Sequence, residues 1–254
     1  MRSGHRIALL LCAAVGEFQQ QHVEDHGLVV VSDEFISSAE RATLLESYEL
    51  AAARDLTSWR HGDIKGPAES VGHTTAGELH DTAMSAAQSA TFCAVRGRML
   101  AFARAVVANG TFGARAAGRD VVPDYTAFLQ YRSGGQHGPH VDNVGPGLAS
   151  RVLSMSLHLD SRGDAFASGG EFSAWAPRDG HLINERWYPN RSSAEPTIVS
   201  TRAGRLVLFL AETPHAVAPV ARGTRRALFL WLADRPLPRN ALERQLCGGG
   251  HETL

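Results

Sequence analysis

The sequence has few cysteines, little net charge and no apolar run long enough to cross a membrane. Its 254 residues include 3 cysteines, Cys12, Cys93 and Cys247, too few and too scattered for a disulfide framework or a cysteine-based zinc site. Cys93 and Cys247 either pair in an oxidising compartment or remain free thiols. The formal net charge of -1 lacks the basic excess that is typical of proteins that bind nucleic acids or anionic membranes. We therefore expect neither kind of partner.

The first residues predict a targeting segment. Arg2 and Arg6 precede the apolar run 7–15, and small residues at 14–16 would permit cleavage before Glu17. This run is far shorter than the roughly 20 apolar residues that span a bilayer. We therefore predict that residues 1–16 are a signal peptide that leads into the secretory pathway, where the glycosylation triplets at Asn109 and Asn190 would fit. The alternative is that the run forms a buried N-terminal strand or helix.

Residues 17–120 predict an N-terminal strand and supporting helices. Leu28–Val31 predicts a short buried strand, and Ser37 with Glu40 matches a capping box that opens a helix to about Arg54. The Ala-rich stretch Glu78–Ala108 predicts one long helix, or two with a break at Gly97. Residues 55–77 lack any period and predict either a substrate lid or an ordinary surface loop.

Residues 121–236 differ from the preceding part, because short apolar segments alternate with Gly and Pro. The predicted strands are Tyr125–Tyr131, Val141–Asn143, Arg151–Asp160, Glu171–Trp175, Ile198–Thr201, Arg205–Leu210, His215–Val220 and Thr224–Leu232. We interpret Gly180–Pro196 as an insertion loop and residues 237–254 as a polar tail. The predicted fold class is mainly β with supporting helices: a double-stranded β-helix (jelly roll, cupin-like) core preceded by an α-helical N-terminal part.

The motif His140-Val141-Asp142 places an imidazole and a carboxylate one residue apart. In an extended strand, such residues point to the same face. A further histidine, His215, lies in the segment Glu212-Thr213-Pro214-His215. Two histidines and one carboxylate that leave coordination positions open are the ligand set of non-haem Fe(II) oxygenases, so these three residues are the predicted iron ligands.

A second His-x-Asp motif, His158-Leu159-Asp160, serves as a control for the first. It lies in a segment where Ser154, Ser156 and His158 alternate with apolar residues. One polar face of an amphipathic strand explains this pattern without a metal, so we predict that His158 binds no iron. We also expect that its replacement leaves iron binding and co-substrate binding nearly unchanged.

Arg225 is the candidate partner for an anionic co-substrate. It follows the Arg222-Gly223 turn and begins the apolar strand Thr224–Leu232, and an arginine binds a carboxylate through two parallel hydrogen bonds. Its neighbour Arg226 should point to the opposite face. Tyr131 is the candidate hydroxyl donor to the same carboxylate. The alternatives are that both arginines lie on the surface of a hairpin end, and that Tyr131 is a core or rim tyrosine.

Several of these motifs together resemble the prolyl hydroxylase branch of the Fe(II)/2-oxoglutarate-dependent dioxygenases. The segment Tyr131-x-x-Gly-Gly-Gln-x-x-Pro-His140-x-Asp142 is similar to the first iron motif of prolyl 4-hydroxylase catalytic domains. The prolyl 3-hydroxylase pattern is resembled by Gly169-Gly170-Glu171-Phe172, Gly204-Arg205, Glu212-x-Pro-His215-x-Val, Val220-x-x-Gly223-x-Arg225 and Leu230-Trp231. His137 departs from the tyrosine that is usual in prolyl 4-hydroxylases, and Arg225 from the lysine of collagen-type enzymes.

The resemblance implies an enzyme that uses Fe(2+), 2-oxoglutarate, O2 and L-ascorbate to hydroxylate an aliphatic carbon of a protein or peptide substrate. A peptidyl proline is the expected site of hydroxylation. Decarboxylation of 2-oxoglutarate to succinate and CO2 would be coupled to this step. His140, Asp142 and His215 would bind iron, Arg225 and Tyr131 would bind 2-oxoglutarate, and the endoplasmic reticulum lumen would be the location. Two alternatives stay open: a hydroxylase of a free amino acid or other small molecule, and a non-catalytic metal-binding jelly roll. The true substrate, the choice between C3 and C4 of proline, and the oligomeric state are not predicted.

Overall fold

The structure of the chain is a computed structural model. It describes residues 5–7, 23–25, 28–53, 64–65, 71–75, 84–145, 147–160, 168–183, 186–190, 195–235 and 247. Among these residues, no helix is both long enough and apolar enough to cross a membrane.

In the described part of the chain, two α-helices precede the strand-rich part, and both begin at a capping box. Helix α1 spans Ser38–Ala53 and helix α2 spans Ala86–Ala108. At α1, the Ser37 hydroxyl accepts a hydrogen bond from the Glu40 amide at 3.2 Å, and the Glu40 carboxylate accepts one from the Ser37 amide at 2.9 Å. The predicted capping box is therefore confirmed.

Helix α2 corrects the predicted start of this helix and decides between one helix and two. Its own capping box joins Ser85 and Gln88, so the helix begins later than the predicted Glu78, and residues 78–83 lie outside the described part of the chain. The helix runs through Gly97 without a break. Of the two alternatives, the single long helix is confirmed, because the buried residues Val95, Met99 and Phe102 anchor both halves of the helix to the core, which outweighs the roughly 1 kcal/mol cost of one glycine.

The strands fall into three groups along the chain. The N-terminal strands are β1 His5–Ile7, β2 Val23–Asp25, β3 Val29–Ser32, β4 Ile64–Lys65 and β5 Val71–Thr75. The middle strands are β6 Val122–Arg132, β7 Gln136–His140, β8 Arg151–His158, β9 Ser168–Gly169, β10 Phe172–Ala174, β11 Gly180–Ile183 and β12 Arg186–Pro189. The last strands are β13 Thr197–Val199, β14 Leu206–Leu210, β15 His215–Val217, β16 Val220–Arg222 and β17 Thr224–Ala233.

Two antiparallel sheets form the core of the fold. The larger has eight strands in the order β1-β2-β3-β14-β8-β17-β6-β5, and the smaller has the order β11-β12-β7-β15-β10-β13, with β4 paired to β7. A short pair, β16 and β9, lies beside them. The predicted jelly roll, mainly β with supporting helices, is confirmed.

The central strands of the larger sheet are buried on both faces, because each of them alternates its side chains between two cores. In β17, Leu228, Leu230 and Leu232 belong to a cluster that includes residues of both helices. The alternating residues Ala227, Phe229 and Trp231 belong to a second cluster, which includes Phe172 and Val217 of the smaller sheet. The space between the two sheets is therefore lined by the odd-numbered residues of β17.

Several predicted elements differ from the structure. The predicted strand Val141–Asn143 is wrong: strand β7 ends at His140, and residues 142–143 form a turn. The predicted insertion loop Gly180–Pro196 contains the hairpin β11–β12, whose Trp187 is buried against Trp175. The predicted strand His215–Val220 is two strands, because residues 218–219 interrupt it.

The segment predicted as a loop, 55–77, contributes two strands. Strand β4 pairs with β7, and β5 pairs with β6 at the edge of the larger sheet. The rest of the segment lies outside the described residues, so the prediction of a lid stays a prediction. Antiparallel pairing with β6 stabilises β5 although its sequence has little strand periodicity.

The two ends of the chain are described only in part. Strand β1, within the predicted signal peptide 1–16, pairs with β2, and the remainder of that segment lies outside the described residues. Within the predicted tail 237–254, Cys247 is described, and it forms a disulfide with Cys93 of α2. Of the two alternatives for these cysteines, the structure shows the paired one. The signal peptide and the domain division at residue 121 stay predictions.

Candidate metal centre

Two of the predicted ligands lie directly opposite each other on adjacent strands. In the pairing of β15 with β7, His215 is the cross-strand partner of His140. Their rings lie with centroids 4.2 Å apart. Residues that are distant in sequence are brought together here by sheet register, since paired residues point to the same face of a sheet.

The turn before β7 sets the direction of this strand. Gly134 has a φ of 84°, a conformation that glycine adopts without steric cost. Its amide donates a hydrogen bond to the carbonyl of Val220 at 2.6 Å. This hydrogen bond holds the turn that leads into the strand ending at His140.

Asp142 reaches the same point from a turn rather than from a strand. Its amide donates a hydrogen bond at 2.8 Å to the carbonyl of Ala211, which follows β14. The prediction used the alternation of an extended strand to place His140 and Asp142 on one face. The two side chains do converge, but the backbone hydrogen bond to Ala211 holds the turn that brings them together.

The three side chains form a compact and buried cluster. Asp142 Oδ1 lies 3.5 Å from His140 Nε2, and Asp142 Oδ2 lies 3.6 Å from His215 Nε2. The exposed fractions are 7% for His140, 7% for Asp142 and 2% for His215. The candidate ligand atoms lie within 4.8 Å of one another. Two imidazoles and one carboxylate that approach from one side suit a divalent metal with open coordination positions.

Backbone carbonyls fix the protonation of both imidazoles. His140 Nδ1 donates to the carbonyl of Gly138 at 2.8 Å, and His215 Nδ1 donates to the carbonyl of Thr213 at 2.9 Å. A carbonyl oxygen can only accept, so the proton of each neutral ring lies on Nδ1. Each Nε2 therefore presents a lone pair towards the cluster, as a metal ligand requires.

Electrostatics favours a neutral His215 and an ionised Asp142. Burial lowers the pKa of His215 to about 4, with a contribution from nearby His140, so this ring is neutral at pH 7. Burial alone would raise the pKa of Asp142, but the neighbouring groups His215, His140 and Arg151 lower it well below its ordinary value. A neutral histidine and an ionised carboxylate are the forms that bind metals.

Ser154 of β8 is a supporting residue that the sequence analysis did not identify as part of the site. Its hydroxyl donates a hydrogen bond to Asp142 Oδ2 at 2.6 Å, and Ser154 is fully buried. This bond occupies one oxygen of the carboxylate and restrains its rotation. The alternating run Ser154, Ser156, His158 was the signal that could have revealed this residue.

Arg225 and Tyr131 lie on the inner face of the larger sheet. They are cross-strand partners of β17 and β6, and the guanidinium carbon lies 5.4 Å from the centroid of the tyrosine ring. Arg225 is fully buried and Tyr131 is 1% exposed. Burial raises the pKa of Tyr131 to about 12, so its hydroxyl stays protonated. Both residues are therefore interior, and the alternative of a surface hairpin arginine is excluded.

Arg226 points to the opposite side, as predicted. Its guanidinium binds the carboxylate of Asp160 at 2.8 Å and that of Glu49 in α1 at 3.0 Å. Asp160 also accepts a hydrogen bond from the Arg226 amide at 2.6 Å. The second His-x-Asp motif therefore has its carboxylate in an ion pair, and Asp160 is not part of the metal cluster.

His158 corrects one expectation of the sequence analysis. It lies outside the cluster of His140, Asp142 and His215, but it is fully buried, and its Nε2 lies 3.3 Å from Nη2 of Arg225. The polar face of β8 points to the interior because helices cover the other face of the sheet. The expectation that His158 has no effect on co-substrate binding does not fit this contact.

The hairpin β11–β12 borders the cluster. Arg186 of β12 is the cross-strand partner of His140. Nearby side chains of this hairpin are apolar and exposed: Leu182 is 44% exposed, Ile183 is 50% exposed and Tyr188 is 43% exposed. The cluster of His140, Asp142 and His215 is therefore bordered by a surface that carries the cation of Arg186 and exposed apolar side chains.

Comparison with known sequences places this site in context. The family model of the 2OG-Fe(II) oxygenase superfamily matches residues 126–233. A PKHD-type hydroxylase of Nitrobacter winogradskyi is 34% identical over 110 residues, a match that covers 41% of each chain. A PKHD-type hydroxylase of Xanthomonas axonopodis pv. citri is 28% identical over 198 residues, which cover 78% of this chain and 77% of that protein.

Two solved structures show the same fold. A prolyl-4-hydroxylase of Pseudomonas putida aligns with a TM-score of 0.54 at 19% identity and covers 82% of this chain and 92% of that one. A prolyl hydroxylase of Trichoplax adhaerens, in complex with a peptide fragment of the hypoxia inducible factor oxygen degradation domain, aligns with a TM-score of 0.53 at 16% identity. That alignment covers 82% of this chain and 84% of the other. At these identities the likeness concerns the fold.

Proposed function

We propose that this chain, whose residues 126–233 match the family model of the 2OG-Fe(II) oxygenase superfamily and which is similar to PKHD-type hydroxylases, is a prolyl hydroxylase-like dioxygenase that hydroxylates a prolyl residue of a peptide or protein. The observation that carries the proposal is a buried cluster of two histidines and one aspartate. The same fold also buries an arginine, Arg225, that can bind an anionic co-substrate. The proposal covers the iron ligands, the co-substrate site, the substrate and the cell compartment.

We propose His140, Asp142 and His215 as the iron ligands. Both imidazoles present Nε2 to one point because their Nδ1 atoms donate to backbone carbonyls. The carboxylate adds the hard anionic oxygen that Fe(II) prefers beside nitrogen ligands. Three protein ligands leave positions for a bidentate co-substrate and for O2.

We propose Arg225 as the residue that binds the distal carboxylate of 2-oxoglutarate. Its guanidinium is fully buried, and no carboxylate pairs with it among the residues that the structure describes. Within the same described set, its Nε and Nη1 atoms have no hydrogen-bond partner, and neither has Ser156 Oγ. Because an unpaired buried cation is costly, these groups fit an anionic ligand. Tyr131, opposite Arg225, would add a hydroxyl donor.

When bound, iron and 2-oxoglutarate would supply the oxidising chemistry, in which O2 gives one oxygen atom to succinate and one to the substrate carbon, with release of CO2. The residues of this chain would bind and orient the reactants. Arg225 fixes one end of 2-oxoglutarate, and the buried walls around Phe172, Phe209 and Phe229 exclude water. Ser154 keeps the carboxylate of Asp142 in one orientation.

We propose that the substrate is a peptide segment that lies across the hairpin β11–β12. This hairpin borders His140 and exposes Ile183 and Tyr188, which suit contact with apolar and prolyl side chains. The prolyl hydroxylase of Trichoplax adhaerens, which has the same fold, was solved with a peptide. Both observations support a peptide more than a small molecule.

The proposal also includes dependence on ascorbate and a location in the secretory pathway, with the endoplasmic reticulum lumen as the compartment. Ascorbate is supported by the resemblance to prolyl hydroxylases alone. The secretory route is supported by the leader-like sequence 1–16 and by the disulfide between Cys93 and Cys247. Disulfides persist in oxidising compartments.

Succinate release tests the proposed function. The protein is incubated with Fe(II), ascorbate, 2-oxoglutarate and O2, together with proline-containing peptides, matched peptides with alanine in place of proline, or free amino acids. We expect succinate and a peptide that gains one oxygen atom only when proline is present, and loss of both with His215→Ala. Asp120→Ala, which replaces an exposed carboxylate that pairs with Arg104 of α2 and lies outside the hairpin β11–β12, is the control and should retain activity.

Two results would count against the proposal in different ways. Turnover with free amino acids alone would overturn the peptide substrate but retain the dioxygenase. A wild-type protein that binds iron and yields no succinate with any substrate or without one would contradict catalysis through this site.

A further inference from the structure

His158 and Arg225 meet inside the fold because of sheet register. His158 of β8 is the cross-strand partner of Ala227 of β17, and Arg225 lies two residues earlier on the same face. His158 and Arg225 are therefore diagonal neighbours across β8 and β17. His158 Nε2 lies 3.3 Å from Arg225 Nη2, and both side chains are fully buried. Neither residue belongs to the cluster of His140, Asp142 and His215.

The guanidinium in this pair has to donate, and the imidazole has to accept. Burial, followed by the charge of Arg225, lowers the pKa of His158 well below its ordinary value, so the ring is neutral. An arginine has donors only, and His158 Nε2 therefore carries the lone pair of this hydrogen bond.

The charged groups near the pair leave the arginine cation without a carboxylate partner. Asp160, on the segment after β8, is bound by Arg226 at 2.8 Å. Tyr131 of β6 and Tyr48 of α1 face the region with neutral hydroxyls, whose pKa values burial raises. Arg205, before β14, adds a further positive charge that lowers the pKa of His158. Within the described residues, His158 is therefore the group that orients Arg225 without neutralising it.

We propose that His158 is a positioning residue for the co-substrate: it holds the Arg225 guanidinium in the orientation that binds the distal carboxylate of 2-oxoglutarate. This inference rests on the proposed function of Arg225. A carboxylate at position 158 would orient the guanidinium equally well, but it would compete with the ligand for the positive charge. A neutral acceptor fixes the direction of the guanidinium and leaves its charge for the ligand.

The test compares two keto acids on five proteins. The ligands are 2-oxoglutarate and 2-oxopentanoate, which has the same keto-acid end and lacks the distal carboxylate. The proteins are the wild type, His158→Leu, His158→Gln, His158→Asn and Arg225→Met, each loaded with Fe(II) and titrated calorimetrically without oxygen. A glutamine can place its amide oxygen near the position of Nε2, whereas an asparagine reaches only towards the position of Nδ1.

We expect His158→Leu to weaken binding of 2-oxoglutarate by about 10- to 100-fold, the range for loss of one hydrogen bond to a charged group. Binding of 2-oxopentanoate should be unchanged, because no carboxylate reaches Arg225. His158→Gln should restore most of the affinity for 2-oxoglutarate, and His158→Asn should not. A general loss of structure would weaken the binding of both ligands. The ratio of the two affinities therefore reports the positioning of Arg225 and not the folding of the protein.

Two outcomes overturn the inference, and they are distinguishable. If the wild type prefers 2-oxoglutarate and Arg225→Met removes that preference, but His158→Leu retains it, the positioning role is wrong and the proposed function stands. If the wild type binds both keto acids equally, Arg225 does not bind the distal carboxylate, and the co-substrate assignment falls together with the inference.

Discussion

His140 and His215 are cross-strand partners, so the register between β7 and β15 sets the distance between two candidate iron ligands. Asp142 completes the cluster from the turn that follows His140, 3.6 Å from His215 Nε2. The metal centre therefore depends on the pairing of two strands of the smaller sheet. A shift of this register by one residue would turn His215 to the other face of the sheet.

Ser154 should tune the affinity of the centre for metal through its hydrogen bond to Asp142. We expect Ser154→Ala to weaken Fe(II) or Mn(II) binding by about 10- to 100-fold, as is typical for loss of a partner that orients a ligand. Ser156→Ala is the matched control, because Ser156 is equally buried on the same strand and its hydroxyl has no partner among the described residues. Equal metal affinities of the two variants, measured by titration, would contradict the role of Ser154.

Arg225 and Arg226 should differ in their effect on stability although they are neighbours. Arg226→Met leaves the buried carboxylate of Asp160 without its ion-pair partner, and we expect it to lower the free energy of unfolding by about 3 kcal/mol. Arg225 has no such partner among the described residues, so Arg225→Met should leave the metal-free protein as stable as the wild type or more so. Urea unfolding measures both, and a larger loss for Arg225→Met would show that Arg225 is a structural residue.

The pH dependence of stability should report on His158. Its pKa is lowered in the folded protein, whereas it is about 6.5 in the unfolded chain. Below that value the unfolded chain takes up a proton that the folded protein does not, so the stability falls as the pH decreases. We expect the metal-free wild type to lose about 1.4 kcal/mol per pH unit more than His158→Gln below about pH 6.5. Urea unfolding at several pH values measures this difference, and parallel profiles for the two proteins would show that His158 is not held neutral.

Part of this site could be predicted from residue types and spacing. The residues that were missed, Ser154 and His158, were missed for the same reason. The residue types and spacing of His140, Asp142 and His215 predicted that they lie together, and the structure shows this cluster. The role of Arg225 stays a prediction. Ser154 and His158 were interpreted as one polar face of a strand. Their burial depends on the second sheet, which covers that face, and local periodicity carries no information about it.

The same reason applies to the elements that were missed. Strands β5, β11 and β12 have weak strand patterns and are stabilised by pairing with neighbours that are distant in sequence. Strand β7 was displaced by a few residues in the prediction, because the turn at Asp142 depends on a backbone hydrogen bond to Ala211. The helix starting at Ser38 was predicted correctly because its capping box is local.

The disulfide between Cys93 and Cys247 should contribute to stability, because it joins α2 to a residue 154 positions later in the chain. We expect reduction, or the variant Cys93→Ala, to lower the free energy of unfolding by about 2–5 kcal/mol. Urea unfolding with and without a reductant measures this change. Counting thiols in the denatured, unreduced protein gives a second check, and the finding that Cys93 and Cys247 both react would contradict the pairing.

The most direct test of the central claim is the visible absorption of the Fe(II)-loaded protein on addition of 2-oxoglutarate without oxygen. Chelation of the keto acid to an iron held by His140, Asp142 and His215 predicts a charge-transfer band in the wild type. The same band should appear in His181→Ala, the control, which replaces an exposed histidine outside this cluster. The band should be absent in His215→Ala. A band of the same intensity and the same 2-oxoglutarate affinity in His215→Ala would contradict the assignment of the metal centre.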